Sequence, residues 1–401
     1  MAGGAGIKAT LRWAHRWFGL SAGLVLVVLG ASGTLLLFQP QYFTWAHGRL
    51  IPDHLSQQLG SIDRWVAQAR AAVPAMHGPV YIWSPRTDHN LSDAAMLMFQ
   101  GNTPGGFGHM GAVSVLVAPA TGEVLGTIDF DRSPAYAPIF LHRDLWSGHV
   151  GRVISGSVGI GVLLMLPVGL YLWWPRTRLL QKLSPRPWGQ TLTHAGRLHD
   201  VTGAWVFLVL LMLVGSGVYL VQPGWVQPAL RALFGPERRA ETLADQTCAG
   251  PGAGPIGFDT AVARAREIVP TERFSAAAAL DRGSLLKWKL IFGPQDSQAA
   301  FRQTYVLADL RCGIVKLDSS PANRALTQSI ELWLISLHDG TALGRPGQLL
   351  IALVGLAPLV LLWSGTRMWL RRRGWLHKHK QIGEFAPPKE RHDTEQTKGI
   401  C

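Results

Sequence analysis

Acidic residues are scarce in this sequence. The 401 residues include 25 Asp and Glu against 38 Lys and Arg, and only 16% of the chain is charged, whereas 48% is hydrophobic. Soluble domains usually carry about 25% charged residues. The composition therefore excludes an ordinary soluble protein, and the concentration of apolar residues in blocks favours a membrane protein.

Cysteine is also rare, with three residues in the whole sequence. No C-x-x-C-H motif is present, which excludes covalent attachment of haem through thioether bonds. Cys401 lies apart from the other two. Cys248 and Cys312 fall in one polar stretch, where an oxidising compartment would allow a disulfide, but the sequence leaves their geometry open.

Nucleotide-binding and hydrolase motifs are absent. A G-x-G-x-x-G pattern occurs at Gly252, Gly254 and Gly257. No strand precedes it and Pro255 interrupts it, so it predicts a loop. We find no P-loop, zinc-type ligand spacing or Ser-His-Asp arrangement. The sequence thus has no recognisable flavin or nicotinamide domain of its own.

Four apolar blocks are each long enough for a membrane-spanning helix, which needs about 20 residues. They are Leu20–Phe38, Val153–Trp174, Val201–Val221 and Leu349–Leu370. The first block resembles a cleaved signal peptide, but it is long for one, and its counterpart at 201–221 cannot be cleaved. We therefore interpret it as a retained anchor.

Lys and Arg are concentrated in the short segments 1–16 and 175–197 and in the tail after Leu370, and the first two segments contain no Asp or Glu. This is the positive-inside pattern, which predicts that both termini and the 175–197 loop are cytoplasmic and both large polar stretches external. The pattern explains the net charge of +13 without a nucleic-acid partner, and we expect no such partner. We expect the protein to be surrounded by membrane lipid.

The sequence repeats its own spacing after two histidines. After His142 and after His338, Gly recurs at +6, +9, +17 and +27, and Trp recurs at +31. His15 and His199 form a second such pair, each followed by Gly at +4 and by Ser-Gly at +17 and +18. The spacing predicts that each histidine lies at the end of a membrane helix, and that His142 and His338 open theirs.

Four histidines in two matched pairs favour a haem protein. A bundle of four helices can hold a cofactor between facing helices. If the two halves are related by an axis along the membrane normal, His15 lies opposite His199 and His142 opposite His338. Neutral imidazole is a normal axial ligand of haem iron. We therefore predict two haem b groups, one near each membrane surface.

Several details stay open in the sequence. His149 and His194 are alternative ligands, and His149 would lie two helical turns from His142 on one face. Arg16, Arg143 and Arg197 are candidates for pairing with haem propionates, or they are ordinary interfacial anchors. Small residues near the histidines would let a flat macrocycle approach the backbone, or would serve helix packing alone. These residues are Gly19, Gly148, Gly151, Gly203, Gly344 and Gly347.

Each polar stretch has the pattern of a small α+β module, with a helix followed by strands. The helices are predicted at Ile62–Val73 and Phe258–Val269. We predict a tandem duplication with four membrane helices and two small periplasmic α+β modules. Its segments are a cytoplasmic N-terminus and first membrane helix (1–40), the first module (41–141), the second membrane helix (142–175), a cytoplasmic loop (176–198), the third helix (199–223), the second module (224–337), the fourth helix (338–372) and a cytoplasmic tail (373–401).

These motifs resemble the PepSY-associated transmembrane family of bacterial inner-membrane proteins. The resemblance rests on AHRWFGLSAG near His15, LHRDLWSG at His142, LHDVTGAW at His199 and LHDGTALGRPG at His338, and on VLVAPATGEVLG in the first module, which resembles a PepSY domain. Members are described as iron-regulated membrane proteins, and some are similar to siderophore reductases with two haems. The second module departs from this pattern, with Cys-Gly at 312–313 where the first has Thr-Gly.

The resemblance implies an oxidoreductase that reduces a ferric siderophore at the periplasmic face and so releases iron. The electron donor would be a separate quinol or cytoplasmic reductase. Two alternatives remain open at this stage. One is a non-catalytic membrane anchor or regulator whose PepSY-like modules bind a periplasmic partner protein, and the other is a haem electron carrier to a different periplasmic acceptor.

Overall fold

Four long helices dominate the computed structural model, which describes residues 3–56, 58–87, 92–101, 111–174, 192–237, 248, 254–281, 283–294 and 299–375. Most of the predicted loop 176–198 and of the predicted tail 373–401, together with Gly252, lies outside the described residues. The four helices are α1 (Gly3–Leu36), α5 (Gly148–Trp173), α6 (Leu192–Val221) and α10 (Gly344–Arg372). Each is long and apolar enough to cross a membrane, as the apolar blocks predicted. The short helix α7 (Pro223–Phe234) follows α6.

The long helices pack in a ring. Helix α1 contacts α5 and α10, and α6 contacts the same two neighbours. Helices α1 and α6 therefore lie on one diagonal of the bundle, and α5 and α10 on the other. Residues on the inward sides of α1 and α6 can approach each other across the centre.

The second and fourth long helices do not begin at the histidines, contrary to the sequence prediction. His142 belongs to a separate short helix, α4 (Ala137–Asp144), and His338 ends α9 (Leu326–His338). A break follows each one. Leu145 and Trp146 adopt φ values of 49° and 59°, in the left-handed region that non-glycine residues rarely occupy.

The glycines at +6 and +9 explain these breaks. Gly148 and Gly344 have φ of 56° and 63°, a conformation that favours glycine. A Cβ at Gly151 would overlap the carbonyl of Asp144, and one at Gly347 would overlap the carbonyl of Gly340. The repeated spacing therefore builds a tight turn between a short helix and a long one, which a hydrophobic pattern alone does not reveal.

The strands of both polar stretches join in one antiparallel sheet. The first set is β1 (His77–Trp83), β2 (Ala95–Gln100), β3 (Ala112–Val117) and β4 (Val124–Asp129); the second is β5 (Arg273–Ala279), β6 (Lys287–Gly293), β7 (Thr304–Asp309) and β8 (Ile314–Ser319). The strand order is β4-β3-β2-β1-β5-β6-β7-β8. The two sets join where β1 pairs with β5, with Ile82 opposite Ala277. The sequence predicted both sets of strands but not that they pair in one sheet.

The two faces of the sheet are covered differently. One face packs against α3 (Ile62–Ala72) and α8 (Phe258–Ile268), with Trp65 and Trp288 fully buried in a core that spans both strand sets. The opposite face of the first strand set packs against α2 (Gln39–His47) and α4. Because α4 carries His142 and packs on α1, this second face is directed toward the helix bundle.

Two aspartates cap each other's helices across the join. Asp63 in the first turn of α3 accepts hydrogen bonds from the backbone N–H groups of Phe258 and Asp259, which begin α8. Asp259 in turn accepts from the backbone N–H of Ile62, at 2.7 Å, and from the hydroxyl of Ser61. Backbone N–H groups in the first turn of a helix have no partner within the helix. The reciprocal caps therefore tie the two halves together.

We expect Asp63→Ala to destabilise the protein by about 1–3 kcal/mol, because it leaves two first-turn N–H groups of α8 without their acceptor. Asp259→Ala should have a similar effect on α3. Thermal unfolding in detergent, followed by circular dichroism, measures the change. Asp53→Ala is the matched control, since this aspartate is exposed; an equal loss of stability in the control would contradict the capping role.

A disulfide joins Cys248 to Cys312, with a Cα–Cα distance of 4.9 Å. This separation lies within the usual range for disulfides. Cys312 is buried at the turn between β7 and β8. The bond connects the segment before α8 to the sheet, and it decides the pairing that the sequence left open.

Candidate functional site

The four repeated histidines meet in two pairs inside the bundle. The ring centroids of His15 and His199 are 6.3 Å apart, with the ring planes at 89°. Those of His142 and His338 are 5.9 Å apart, with the planes at 47°. The structure therefore brings together the same partners that the matched spacing indicated.

The ring of His142 is held by α1. Its Nδ1 donates a hydrogen bond to the backbone carbonyl of Leu29 at 2.8 Å. The ring lies against Gly33, where a Cβ would approach the His142 Cε1 to 2.7 Å. Since only a residue without a side chain leaves this space, Gly33 and Leu29 together determine where the imidazole lies.

His338 is held in the corresponding way by α6. Its Nδ1 lies 3.1 Å from the carbonyl of Leu213 and 3.1 Å from the hydroxyl of Ser216. A Cβ at Gly217 would approach the His338 Cε1 to 3.1 Å. Ser216-Gly217 and Ser32-Gly33 are the two Ser-Gly pairs of the sequence repeat, so the repeat has a physical role in seating His142 and His338.

The other pair is seated against α5 and α10. The Nδ1 of His199 lies 3.1 Å from the carbonyl of Leu361 and 3.2 Å from the hydroxyl of Ser364, and its ring lies beside Gly365. His15 lies against Gly169, where a Cβ would come within 2.9 Å of its Cε1. Gly169 and Gly365 are the repeated glycines at +27. The Nδ1 of His15 is buried and has no hydrogen-bond partner among the described residues.

These hydrogen bonds favour metal ligation by Nε2. A carbonyl only accepts, so Nδ1 must carry the proton in His142, His199 and His338, and the lone pair is then on Nε2. Histidines that bind metals usually donate the other ring N–H in this way. Metal–imidazole bonds of about 2.0–2.1 Å on each side of one ion would separate the ring centroids by about 6 Å. Both pairs fit a bis-histidine metal centre such as haem iron.

The two pairs lie at different depths of the bundle. His15 and the Leu29 carbonyl that holds His142 are both on α1, and the helix between them rises about 21 Å. The same spacing separates His199 from Leu213 on α6. A hydrocarbon core is about 30 Å thick, so the pairs lie toward opposite ends of helices of spanning length.

The alternative ligands lie apart from both pairs. His149 is exposed at the start of α5, and the break at 145–147 separates it from His142, so the expected shared helix face does not exist. His194 is on the same helix as His199, but a separation of five residues turns it about 140° away around the helix axis.

The three arginines differ in their surroundings. Arg16 is exposed, and its guanidinium lies 5.8 Å from the ring centroid of Trp17. Arg143 pairs with the buried carboxylate of Asp144 at 2.8 Å. Arg197 is half-buried on α6. This ion pair between Arg143 and the adjacent Asp144 was not among the sequence predictions.

The glycines that contact the histidines are mostly not the ones proposed from sequence. No atom among the described residues lies within 4 Å of a Cβ built at Gly19, and Gly203 has only an ordinary contact with Leu361. The rings lie instead against Gly33, Gly169, Gly217 and Gly365. These four glycines belong to the sequence repeat, at +18 after His15 and His199 and at +27 after His142 and His338. The repeat does not show which helix approaches each histidine, because that depends on the tertiary packing.

A polar group on α9 was also missed. Glu331 lies two helical turns before His338, and its Oε1 accepts a hydrogen bond from the Nε2 of Gln227 at 3.2 Å. Partial burial raises the pKa of the Glu331 carboxyl above its ordinary value. The corresponding position 196 residues earlier is Ala135, so this acid distinguishes the second half from the first.

The helix bundle, the joined sheet and the paired histidines can now be compared with known proteins. The profile of the PepSY-associated TM region matches residues 12–372. The chain belongs to this family. No curated protein matches the sequence closely enough to add a named relative. Membership of the PepSY-associated family agrees with the four apolar helices in assigning the protein to a membrane.

Proposed function

We propose that this PepSY-associated protein is a di-haem b electron-transfer protein that reduces a ferric siderophore at the periplasmic face of the bacterial inner membrane. The observation that carries the proposal is the seating of two histidine pairs at two depths of one bundle. Bound haem would supply one-electron chemistry at each pair. His15 and His199 would hold the inner group, and His142 and His338 the outer one.

The protein's own residues support this role in three ways. Hydrogen bonds to Leu29, Leu213 and Leu361 orient the imidazoles before any ligand binds. The glycines beside the rings fix their positions. The apolar helices around the pairs exclude water, and solvent exposure and the surrounding dielectric tune the potential of a bound metal.

The membrane orientation is part of the proposal. The concentration of Lys and Arg at both ends and in the 175–197 loop supports cytoplasmic termini and a periplasmic sheet. The matched spacing and the matched seating of the histidines support an origin by tandem duplication. In this orientation the outer pair lies next to the sheet.

The proposed reaction is the transfer of one electron to a ferric chelate, which converts Fe(III) to Fe(II). A siderophore with hard oxygen ligands holds Fe(II) less tightly, so reduction releases the metal. The electron comes from a separate donor, a quinol or a cytoplasmic reductase, because the sequence has no recognisable flavin or nicotinamide domain.

Stopped-flow mixing tests this reaction. We expect the dithionite-reduced, desalted protein to be reoxidised by at least one ferric hydroxamate, catecholate or citrate chelate, with Fe(II) collected by a ferrous trap. A His338→Ala variant should lose this reoxidation. A colourless wild-type protein would instead support a non-catalytic anchor. Haems that stay reduced with every chelate, yet are reoxidised by another periplasmic oxidant, would support a different acceptor.

A further inference from the structure

The bundle-facing side of the sheet is sealed in its first half. Met96 is only 3% exposed and Met98 only 4%, and they lie in a core with Phe43 of α2 and Phe140 of α4. The phenol of Tyr136 lies on the sulfur of Met96 at 3.5 Å. Helices therefore cover this half of the surface completely.

The matching surface in the second half is open and cationic. The two strand sets correspond to each other about the central pair Ile82–Ala277. In this correspondence Lys289 of β6 matches Met96 of β2, and Tyr305 of β7 matches Ser114 of β3. The Lys289 side chain is 36% exposed. A buried methionine in one half thus corresponds to a solvent-accessible lysine in the other.

A continuous series of contacts leads from Lys289 to α9, the helix that ends at His338. The Lys289 ammonium lies 5.3 Å from the Tyr305 ring centroid, and the Arg324 guanidinium lies 5.8 Å from the same centroid. Arg324 donates to the backbone carbonyl of Phe301. The Phe301 ring stacks on Trp333 with centroids 3.8 Å apart. Trp333 belongs to α9, the helix that ends at His338.

We call this surface the Lys289 surface and define it by Lys287, Lys289, Lys316, Tyr305 and Arg324. Its acidic neighbours include Asp309, which pairs with Lys287 across the strands, and Asp318 and Glu272 near Arg324, so the four cations exceed these three carboxylates by one. Lys289 forms an ion pair with Asp318, whose Oδ2 lies 3.8 Å from the ammonium. Partly exposed ion pairs are weak because water screens them, so Lys289 can still attract an anionic ligand. Cationic groups beside an aromatic ring favour ligands that are both anionic and aromatic.

We propose that the Lys289 surface binds an anionic ferric chelate with aromatic oxygen ligands, of the catecholate class, in preference to a neutral hydroxamate chelate. The proposal rests on the proposed function, since it names the class of the acceptor. A tris-catecholate is anionic because its dianionic ligands outweigh the charge of Fe(III), whereas monoanionic hydroxamates balance it. A chelate bound here would contact Lys289 and Tyr305, from which the series of contacts leads to Trp333 on α9.

Gallium(III) chelates test the site without electron transfer, because Ga(III) has the charge of Fe(III) and is not reduced under these conditions. We expect calorimetry on the full-length protein in detergent to show binding of gallium tris-catecholate that weakens as salt is added. Lys289→Met, which introduces the residue of the first half, should weaken this binding about tenfold. Gallium tris-hydroxamate should bind more weakly than the catecholate.

Two further variants make the result specific. Lys289→Arg keeps the charge and should retain binding. Arg132→Gln removes an exposed positive charge from the first half and should change nothing. Equal binding by wild type and Lys289→Met, no binding of the catecholate, or tighter binding of the hydroxamate overturns the proposal. Lys289-dependent binding by a protein that reduces no chelate would leave the site standing and refute the proposed function.

Discussion

Replacing His338 by alanine should remove about half of the haem that we propose for this protein, because one of the two proposed bis-histidine sites loses an axial ligand. His142→Ala should give the same residual spectrum, since both residues contribute to one pair. His15→Ala and His199→Ala should remove the other half and leave a different residual spectrum. Pyridine-haemochrome titration of each purified variant measures the haem content, and reduced-minus-oxidised spectra distinguish which site remains.

His149→Ala and His194→Ala are the matched controls, since both remove a histidine near a helix end and leave the four paired histidines in place. Both variants should retain the full haem content. Retention of full haem by all four paired variants would show that the ligand assignment is wrong. Loss of haem in the His149 or His194 variant alone would transfer the role to that residue.

Gly33→Val should reduce the haem content as strongly as His142→Ala, although it leaves every proposed ligand in place. A Cβ at position 33 would approach the His142 ring to 2.7 Å, so the imidazole must move. It cannot retreat without breaking its 2.8 Å hydrogen bond to the Leu29 carbonyl. A valine adds two further methyl groups to this contact. Haem content and the spectrum of the remaining site measure the effect.

Gly19→Val is the control for this change, because it makes the same substitution in the same helix at a position with no neighbouring atom within 4 Å. It should preserve both haems and the thermal stability. Similar haem loss in both variants would mean that valine disturbs α1 generally. Full haem content in Gly33→Val would show that the glycine does not position His142.

Local pattern was sufficient for much of the architecture. The apolar blocks predicted the four long helices because membrane-spanning segments need a run of about 20 apolar residues whatever their neighbours are. The helical periodicity of Ile62–Val73 predicted α3, which extends from Ile62 to Ala72. The matched spacing indicated the histidine pairs, since related segments that pack around one axis bring equivalent residues together.

Sequence pattern was less informative about the breaks before α5 and α10. The residues around His142 are compatible with a continuous helix, and only the backbone shows that Leu145 and Trp146 leave it. The same break removes His149 from the face that it would share with His142. Pattern arguments assume an unbroken helical period, and a break of three residues, two of them left-handed, is enough to invalidate them.

The sequence by itself determined the membrane class, the four long apolar helices, the two sets of strands, and the four histidines that form two pairs. Tertiary structure alone decided which surfaces meet. Pairing of β1 with β5 joins two strand sets that lie far apart in the chain, and Asp63 and Asp259 cap each other's helices across that join. The physical reason is that hydrophobic period and charge are local properties, whereas the partners of a sheet edge, a helix N-terminus or an imidazole Nδ1 are chosen by packing between segments distant in sequence.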